Sequence, residues 1–230
     1  MWIIIDKKAP QEAKEVLQRT GLLIELETQG IVYEAISGHP DIFFFQYPAG
    51  LFMAPNTPEK YYKLLTNLQI PFTPGQKRLS IQYPDTASFN ALYTSYGLLH
   101  NQFISDPAIQ STHKNLLHCK QAYTRCNAIE VGGTIFTSDK GIEKALNQKN
   151  IPVFFVDPSA ILLQGFQHGF FGGCCGIHQN KLFICGSLNH INQGSELKVI
   201  LDSTGVDVIE LYQGPLMDIG GIFFIPDKFV

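Results

Sequence analysis

The chain of 230 residues has no Cys-x-x-Cys pair, no long apolar run and few charges, at 16% Asp, Glu, Lys and Arg. Its five cysteines are Cys119, Cys126, Cys174, Cys175 and Cys185. An odd count argues against a disulfide framework. The seven histidines lack the His-x-x-x-His or His/Cys spacing of a dedicated metal cage. No metal and no cofactor is therefore expected. No stretch approaches the ~18 apolar residues that span a bilayer. Met1–Asp6 lacks the basic start of an export signal. Together these features lead to the expectation of a cytoplasmic protein with reduced thiols and no membrane partner. The 17 basic residues are scattered and the net charge is −3. A basic stripe with interleaved aromatics is missing, so nucleic acid is not an expected partner. Gly172-Gly173 and Gly220-Gly221 match neither a Walker nor a dinucleotide fingerprint, and neither opens a helix.

What is present is a repeat. Hydrophobic residues make up 45% of the chain, enough for one substantial core, and a single domain over residues 1–230 is expected. Four stretches share the order strand, tight turn, strand, helix, strand. Their paired strands fall in Asp41–Asn56, Phe89–Asn101, Asn127–Asp139 and Gly173–Ser187. Asp218–Pro226 reads as one more first strand, and Trp2–Asp6 as a lone second strand followed by a helix and a strand. Joining the two ends completes a fifth unit. The units recur at about 40–50 residues, a spacing typical of repeat architectures. The fold class expected is α/β: a five-fold pseudosymmetric ββαβ propeller, closed by pairing of the N- and C-terminal strands around a central channel.

Local signals agree with this order. Thr57-Pro58-Glu59 is an N-cap, a first-turn proline and a first-turn acid, opening a helix that Pro71 cannot continue. Asp106-Pro107 opens another, expected to run to about Asn115. Helices are also expected over Ala9–Arg19, Lys140–Asn150 and Ser195–Ser203. Third strands are expected at Leu22–Glu27, Leu79–Tyr83, Leu116–Tyr123, Val153–Asp157 and Val206–Tyr212. Pro48-Ala49-Gly50, Gly132-Gly133, Gln179-Asn180 and Gly220-Gly221 read as tight turns between paired strands.

Five such units resemble the pentein fold of the guanidino-group-modifying enzymes. More closely, the chain resembles small uncharacterised bacterial proteins assigned to that fold. The stretches that carry the likeness are Ser37-Gly38-His39-Pro40-Asp41-Ile42-Phe43, Lys120-Gln121-Ala122-Tyr123-Thr124-Arg125-Cys126, Thr137-Ser138-Asp139-Lys140-Gly141-Ile142, Gly169-Phe170-Phe171-Gly172-Gly173 and Met217-Asp218-Ile219-Gly220-Gly221-Ile222. The resemblance implies a small guanidino, amidino or amino-acid-like ligand. In catalytic members a cysteine after a glycine-rich C-terminal turn attacks the guanidino carbon, a histidine moves protons and carboxylates hold the cation. Here Gly220-Gly221 is followed by Ile222-Phe223-Phe224-Ile225, and no cysteine follows Cys185. Either another thiol has taken the role, or the protein is a non-catalytic binding or scaffold member that has lost it.

The candidate residues follow from side-chain chemistry. His39 is the candidate proton carrier. Cys126 is the first candidate nucleophile and Cys174 or Cys175 the second. Lys120 and Arg125 near Cys126 are expected to stabilise its thiolate. Asp41 and Asp218 are expected to approach one another and to hold a planar cation. Lys120, Tyr123, Gly172 and Gly173 complete the expected ligand-binding set. Glu130 and His168 are further candidates. Each has a plainer reading: Asp41 and Asp218 as turn caps, Cys126 as a small core residue, Lys120 and Arg125 as solvated charges.

Overall fold

The computed structural model describes every residue except Asp227, Lys228 and Val230. The chain opens with β1 (Trp2–Asp6), α1 (Gln11–Gln18) and β2 (Leu22–Leu26). Next comes a unit made of the helical turn α2 (Pro40–Phe43), β3 (Phe44–Tyr47), β4 (Gly50–Met53), α3 (Glu59–Asn67) and β5 (Thr73–Pro74). A second unit holds β6 (Leu92–Thr94), β7 (Gly97–His100), the single turn α4 (Pro107–Gln110) and β8 (Leu116–His118). The third unit holds the turn α5 (Thr124–Asn127), β9 (Ala128–Val131), β10 (Thr134–Thr137), α6 (Lys140–Asn147) and β11 (Val153–Phe155). In the fourth, a 3-10 turn at Gly172–Cys174 leads into β12 (Cys175–His178), then β13 (Lys181–Ile184), α7 (Gly194–Ser203) and β14 (Asp207–Glu210). β15 (Phe223–Ile225) is last.

These strands form five three-stranded sheets. Each has a central strand paired antiparallel on one side and parallel on the other. The split unit obeys the same rule: β15 pairs antiparallel with β1, with Trp2 opposite Ile225 and Ile4 opposite Phe223, and β1 pairs parallel with β2. Ile3, Ile4 and Ile5 of β1 are fully buried, each contributing about 1.5–3 kcal/mol by leaving water. The first strands are also neighbours across units. β12 packs against β9 and β15, and β6 against β3 and β9. Gln46 of β3 donates from Nε2 to the Phe224 carbonyl of β15 at 2.7 Å. Among the described residues no helix is long and apolar enough to cross a membrane.

Turn chemistry explains why the hairpins form. Gly132 and Gly133 both have positive φ, and so do Gln179 and Asn180, the backbone required by two-residue turns whose twist matches the strands. Gly220 and Gly221 also have positive φ, yet they join no hairpin, because the partner of β15 is the distant β1. They instead let the chain pass close to His39 and Arg125, where a Cβ would clash.

Three other expectations need correction. The parallel partner of β4 is Thr73–Pro74, not Leu79–Tyr83. The latter segment is a loop, pinned by Asn56, which accepts from Leu79 N at 2.9 Å and donates to Leu79 O at 3.0 Å. Second, the helix expected from Asp106 to about Asn115 stops after one turn. Asp106 caps it through Ala108 N at 2.8 Å. The Ser111 and Thr112 hydroxyls then bond back to the carbonyls of Ala108 and Ile109, both at 2.7 Å, a competition that disfavours continuation. Third, Asp41 sits in the helical turn before β3, not on the strand, as Cys126 sits in the corresponding turn before β9.

Candidate functional site

In units one, three and four a single helical turn runs directly into the first strand. The backbone register is the same in each: the N–H of Ala54, Ser138 and Cys185 donates to the carbonyl of Phe43, Asn127 and Cys174, respectively. The residue two places before the first strand is thus Ile42, Cys126 or Gly173, and in the second unit Asn90. Here the units converge. Asn90 accepts from the backbone N–H of Arg125 at 2.8 Å and of Cys126 at 3.1 Å. Its amide donates to the Asp41 carbonyl at 3.1 Å and to Cys126 Sγ at 3.3 Å. The Cys126 thiol donates to Asp41 Oδ2 at 2.8 Å. Asn90 therefore fixes both ends of the thiol–carboxylate pair.

His39 lies beside this pair, between two carboxylates. Nε2 is 3.8 Å from Asp6 Oδ2 and Nδ1 is 3.8 Å from Asp218 Oδ1. Both distances exceed hydrogen-bond length, and Nδ1 is buried without a partner among the described residues, as is Asp41 Oδ1. Asp218 is held by the backbone, accepting from Phe170 N at 2.9 Å and Gly220 N at 3.0 Å. A Cβ at Gly173 would strike the Asp218 carboxylate, so this glycine keeps room for it.

Burial governs the charges. It lowers the His39 pKa to about 3, with Lys8 adding to the effect. Asp218 rises to about 8, first through burial and then through the nearby Asp41 carboxylate. Burial also raises Asp41 to about 6, against the opposing Cys126 S–H bond and Arg125 charge. Asp6 rises to about 6 by burial. The Cys126 thiol is pushed well up by burial, Asp41 and Asp218. Near neutral pH the site therefore holds a neutral imidazole, a thiol and a largely protonated Asp218. A cation would reverse that preference for Asp218.

A cavity of about 240 Å³ opens onto this cluster. His39, Cys126 and Asp218 form its polar floor, and Tyr33, Tyr123, Phe166 and Phe170 supply aromatic walls. Leu163, Phe166, Gln167 and His168 come from one loop over the cavity. The loop is pinned at both ends: Leu162 N donates to Leu216 O at 2.8 Å and Gly169 N to Ile161 O at 2.8 Å. Tyr33 and Phe166 pack in a tilted arrangement, with centroids 5.7 Å apart. The Tyr123 hydroxyl shares a 2.5 Å hydrogen bond with Thr86.

Of the residues singled out in the sequence, His39, Cys126, Tyr123 and Asp218 line the cavity, and His168 joins them. Asp41 lies behind Cys126. Gly172 and Gly173 are buried against Arg125, Ala128 and Asp218 and line no part of it. Lys120 is exposed, and its carbonyl accepts from Asn101 at 2.8 Å. It does not activate Cys126. Nor does Arg125, whose guanidinium is drawn to the carbonyls of Gly172 at 2.6 Å and Cys175 at 2.8 Å. The expected thiolate stabilisation is thus overturned by burial and by two nearby acids. Cys174 and Cys175 are sealed in an apolar cluster, and Glu130 bonds Ser95 through its backbone N at 2.7 Å.

Asn90 and Asp6 escaped the sequence reading. Asn90 occupies the position of Cys126 in its own unit, so aligning the units position by position would have found it. Asp6 ends β1 and reaches His39 only through tertiary packing. A metal was not expected either, yet His39, Cys126 and Asp218 each offer a donor atom, all within 4.8 Å of one another. Zinc holds such donors about 2.0–2.3 Å from a shared ion. These three would have to close in on an ion before binding it.

The chain belongs to a family of unknown function, DUF6873, whose model matches residues 4–223. No curated protein matches the sequence. Among solved structures the fold is similar to DDAH from Pseudomonas aeruginosa, solved as a Cys→Ser mutant complexed with citrulline, with a TM-score of 0.53. Identity is 7%, and the match covers 91% of this chain and 91% of that chain. The likeness shows a shared mixed α/β fold of repeated ββαβ units.

Proposed function

We propose that the five units close into a single pentein-like propeller domain, and that the cavity beside its first strands binds a small guanidino or amidino ligand. Contacts between β3, β6, β9, β12 and β15, with the Gln46–Phe224 hydrogen bond, support the closure. The observation that carries the ligand reading is the cavity floor: Cys126 Sγ, a His39 ring nitrogen and an Asp218 oxygen within 4.8 Å, under aromatic walls that suit a planar cation. In this reading Asp218 ionises as the cation arrives and holds its N–H groups. The neighbour's citrulline complex makes a guanidino-type ligand a natural first test.

The same floor is equipped for thiol chemistry. The Cys126 proton passes to Asp41 along their 2.8 Å hydrogen bond, and the thiolate attacks the guanidino carbon to form a C–S bond. The C–N bond to the leaving nitrogen then breaks as that nitrogen gains the proton given up by Asp218 and relayed by His39. Water adds to the carbon and the C–S bond breaks; of the two protons water loses, one returns through His39 to Asp218 and the other leaves with the departing amine, while Cys126 recovers its proton from Asp41. In this scheme Cys126 takes the role that resemblance assigns to a cysteine after Gly220-Gly221, from a different unit. The five buried free thiols fit a reducing, cytoplasmic location.

The high thiol pKa favours a second reading, binding without turnover. Calorimetry with guanidino and amidino compounds, together with a release assay for ammonia or amine, separates the two. Saturable binding that is lost in Asp218→Asn supports the ligand. Release that is lost in Cys126→Ser supports the chemistry. A wild-type protein that binds none of these compounds would sink both.

A further inference from the structure

We infer that the ligand is a monocation with an apolar, uncharged tail: an aryl- or alkyl-guanidine or amidine, not an amino acid. The inference rests on the proposed guanidino-type site and narrows its substrate class.

The reason lies in what surrounds the polar floor. No lysine or arginine is among the described residues that line the cavity. Two cations lie close by, and both are committed elsewhere. Lys8 lines a neighbouring cavity of about 100 Å³ that shares His39 and Asp218. Its ammonium bonds the Glu34 carbonyl at 2.8 Å and carboxylate at 2.6 Å. Arg125 is drawn to the Gly172 and Cys175 carbonyls and lies over the Phe223 ring at 5.5 Å. The α-carboxylate of an amino acid would enter an apolar space without a counter-charge, close to Asp218 and Asp41. Desolvation and like-charge repulsion both oppose that.

The walls favour the opposite kind of tail. Tyr33, Phe166, Phe170 and Tyr123 present rings, and Ile36, Ile42 and Leu163 fill the gaps. Burial holds the Tyr33 phenol neutral by raising its pKa, and the Tyr123 hydroxyl is engaged by Thr86. His168 turns Nδ1 toward the Gly169 carbonyl at 2.9 Å. A flat head seated against Asp218 thus projects its substituent between aromatic faces, where burial and cation–π contact both help. At about 240 Å³ the cavity is below the usual range for drug-sized ligands, which limits the tail to a single ring or a short alkyl chain.

The test is calorimetry at pH 7.5 with phenylguanidine, butylguanidine and arginine, on the wild type and on Phe166→Ala. Phe166 is 53% exposed, so its truncation leaves the core intact. Phenylguanidine should bind at least about tenfold more tightly than arginine, whose carboxylate is uncompensated. Phe166→Ala should weaken phenylguanidine about fivefold, by removing a stacked ring, and weaken arginine less, since arginine has no ring to stack there. If arginine binds as tightly as phenylguanidine, the apolar-tail inference is wrong while the guanidino site stands. If none of the three binds, the site reading itself fails and takes the inference with it.

Discussion

Cys126 and the pair Cys174–Cys175 lie at corresponding places in neighbouring units, yet they inhabit different chemistry. Both regions follow a helical turn that runs into a first strand. In the third unit the residue two places before the strand is Cys126; in the fourth it is Gly173, and the cysteines come one and two residues later. That shift decides everything. Cys126 meets Asp41, Asn90 and the cavity. Cys174 and Cys175 pack among Phe171, Leu182, Leu188 and Leu216, and Cys174 Sγ donates to the Phe170 carbonyl at 3.4 Å. Burial raises all three thiols. What separates them is a proton acceptor and an opening, not acidity.

The largest expected effect removes the strand that serves both regions. β1 brings Asp6 to His39 and packs Ile3 and Ile5 into the cluster that holds Cys185. Deleting Met1–Asp6 removes three buried isoleucines, about 1.5–3 kcal/mol each, against a typical total stability of about 5–15 kcal/mol. The truncated chain should fail to fold cooperatively. A melting temperature equal to that of the full chain would refute the end-to-end sheet.

Next comes the direct contrast. Cys126→Ser should lower any thiol-dependent turnover by at least about 10³-fold, as expected when a nucleophile is lost, with little loss of stability because Asp41 still accepts from the hydroxyl. Cys174→Ser should do the reverse. It places a hydroxyl in an apolar cluster, costing about 1–3 kcal/mol in chemical denaturation, while activity per folded molecule holds. Loss of turnover in folded Cys174→Ser would overturn the contrast.

Alkylation sharpens it at lower cost. Mapped by mass spectrometry, iodoacetamide should label Cys126 before Cys174, Cys175 and Cys185 in the native protein, through the cavity. The rate should stay below that of an ordinary exposed thiol with pKa about 8.5 and climb with pH. Labelling of all four at one rate, only after unfolding, would make Cys126 a core residue like the others.

The smallest effect is a pH slope set by Asp218, which raises the pKa of thiols in both regions. Its folded pKa of about 8 lies above the ordinary carboxylate value of 3.8. The native state therefore holds a proton that the unfolded state has lost, and stability falls as pH rises toward 8. Asp41 and Asp6, at about 6, add the same sign at lower pH. His39, lowered to about 3 from 6.5, opposes them only below pH 6.5. Between pH 6.5 and 7.5 the loss should be about 1 kcal/mol. Asp218→Asn should flatten it; an unchanged slope in that variant would clear Asp218 of the role.

Much of the architecture could be read locally. Gly132-Gly133 and Gln179-Asn180 announce hairpins, because few residues accept two successive positive φ angles. The Leu79–Tyr83 strand misled because an apolar run without a ladder partner is only an exposed loop, with Ile81 and Tyr83 at its surface. Lys120 misled because nearness in sequence says nothing of direction: six residues from Cys126, it faces solvent. Asp41 and Cys126 belong to separate stretches of sequence, and nothing in the chain announces a 2.8 Å bond between residues 85 apart.

The amino-acid order by itself determined the repeat, the split fifth unit and the strands that join its ends, because alternation, caps and turns are short-range properties of the backbone. Only the tertiary structure decided which residue before each first strand turns toward the cavity, that Asn90 joins Asp41 to Cys126, and that Asp218 stays protonated near neutral pH. Those outcomes depend on burial and on distances between separate units, and neither quantity is written in local spacing.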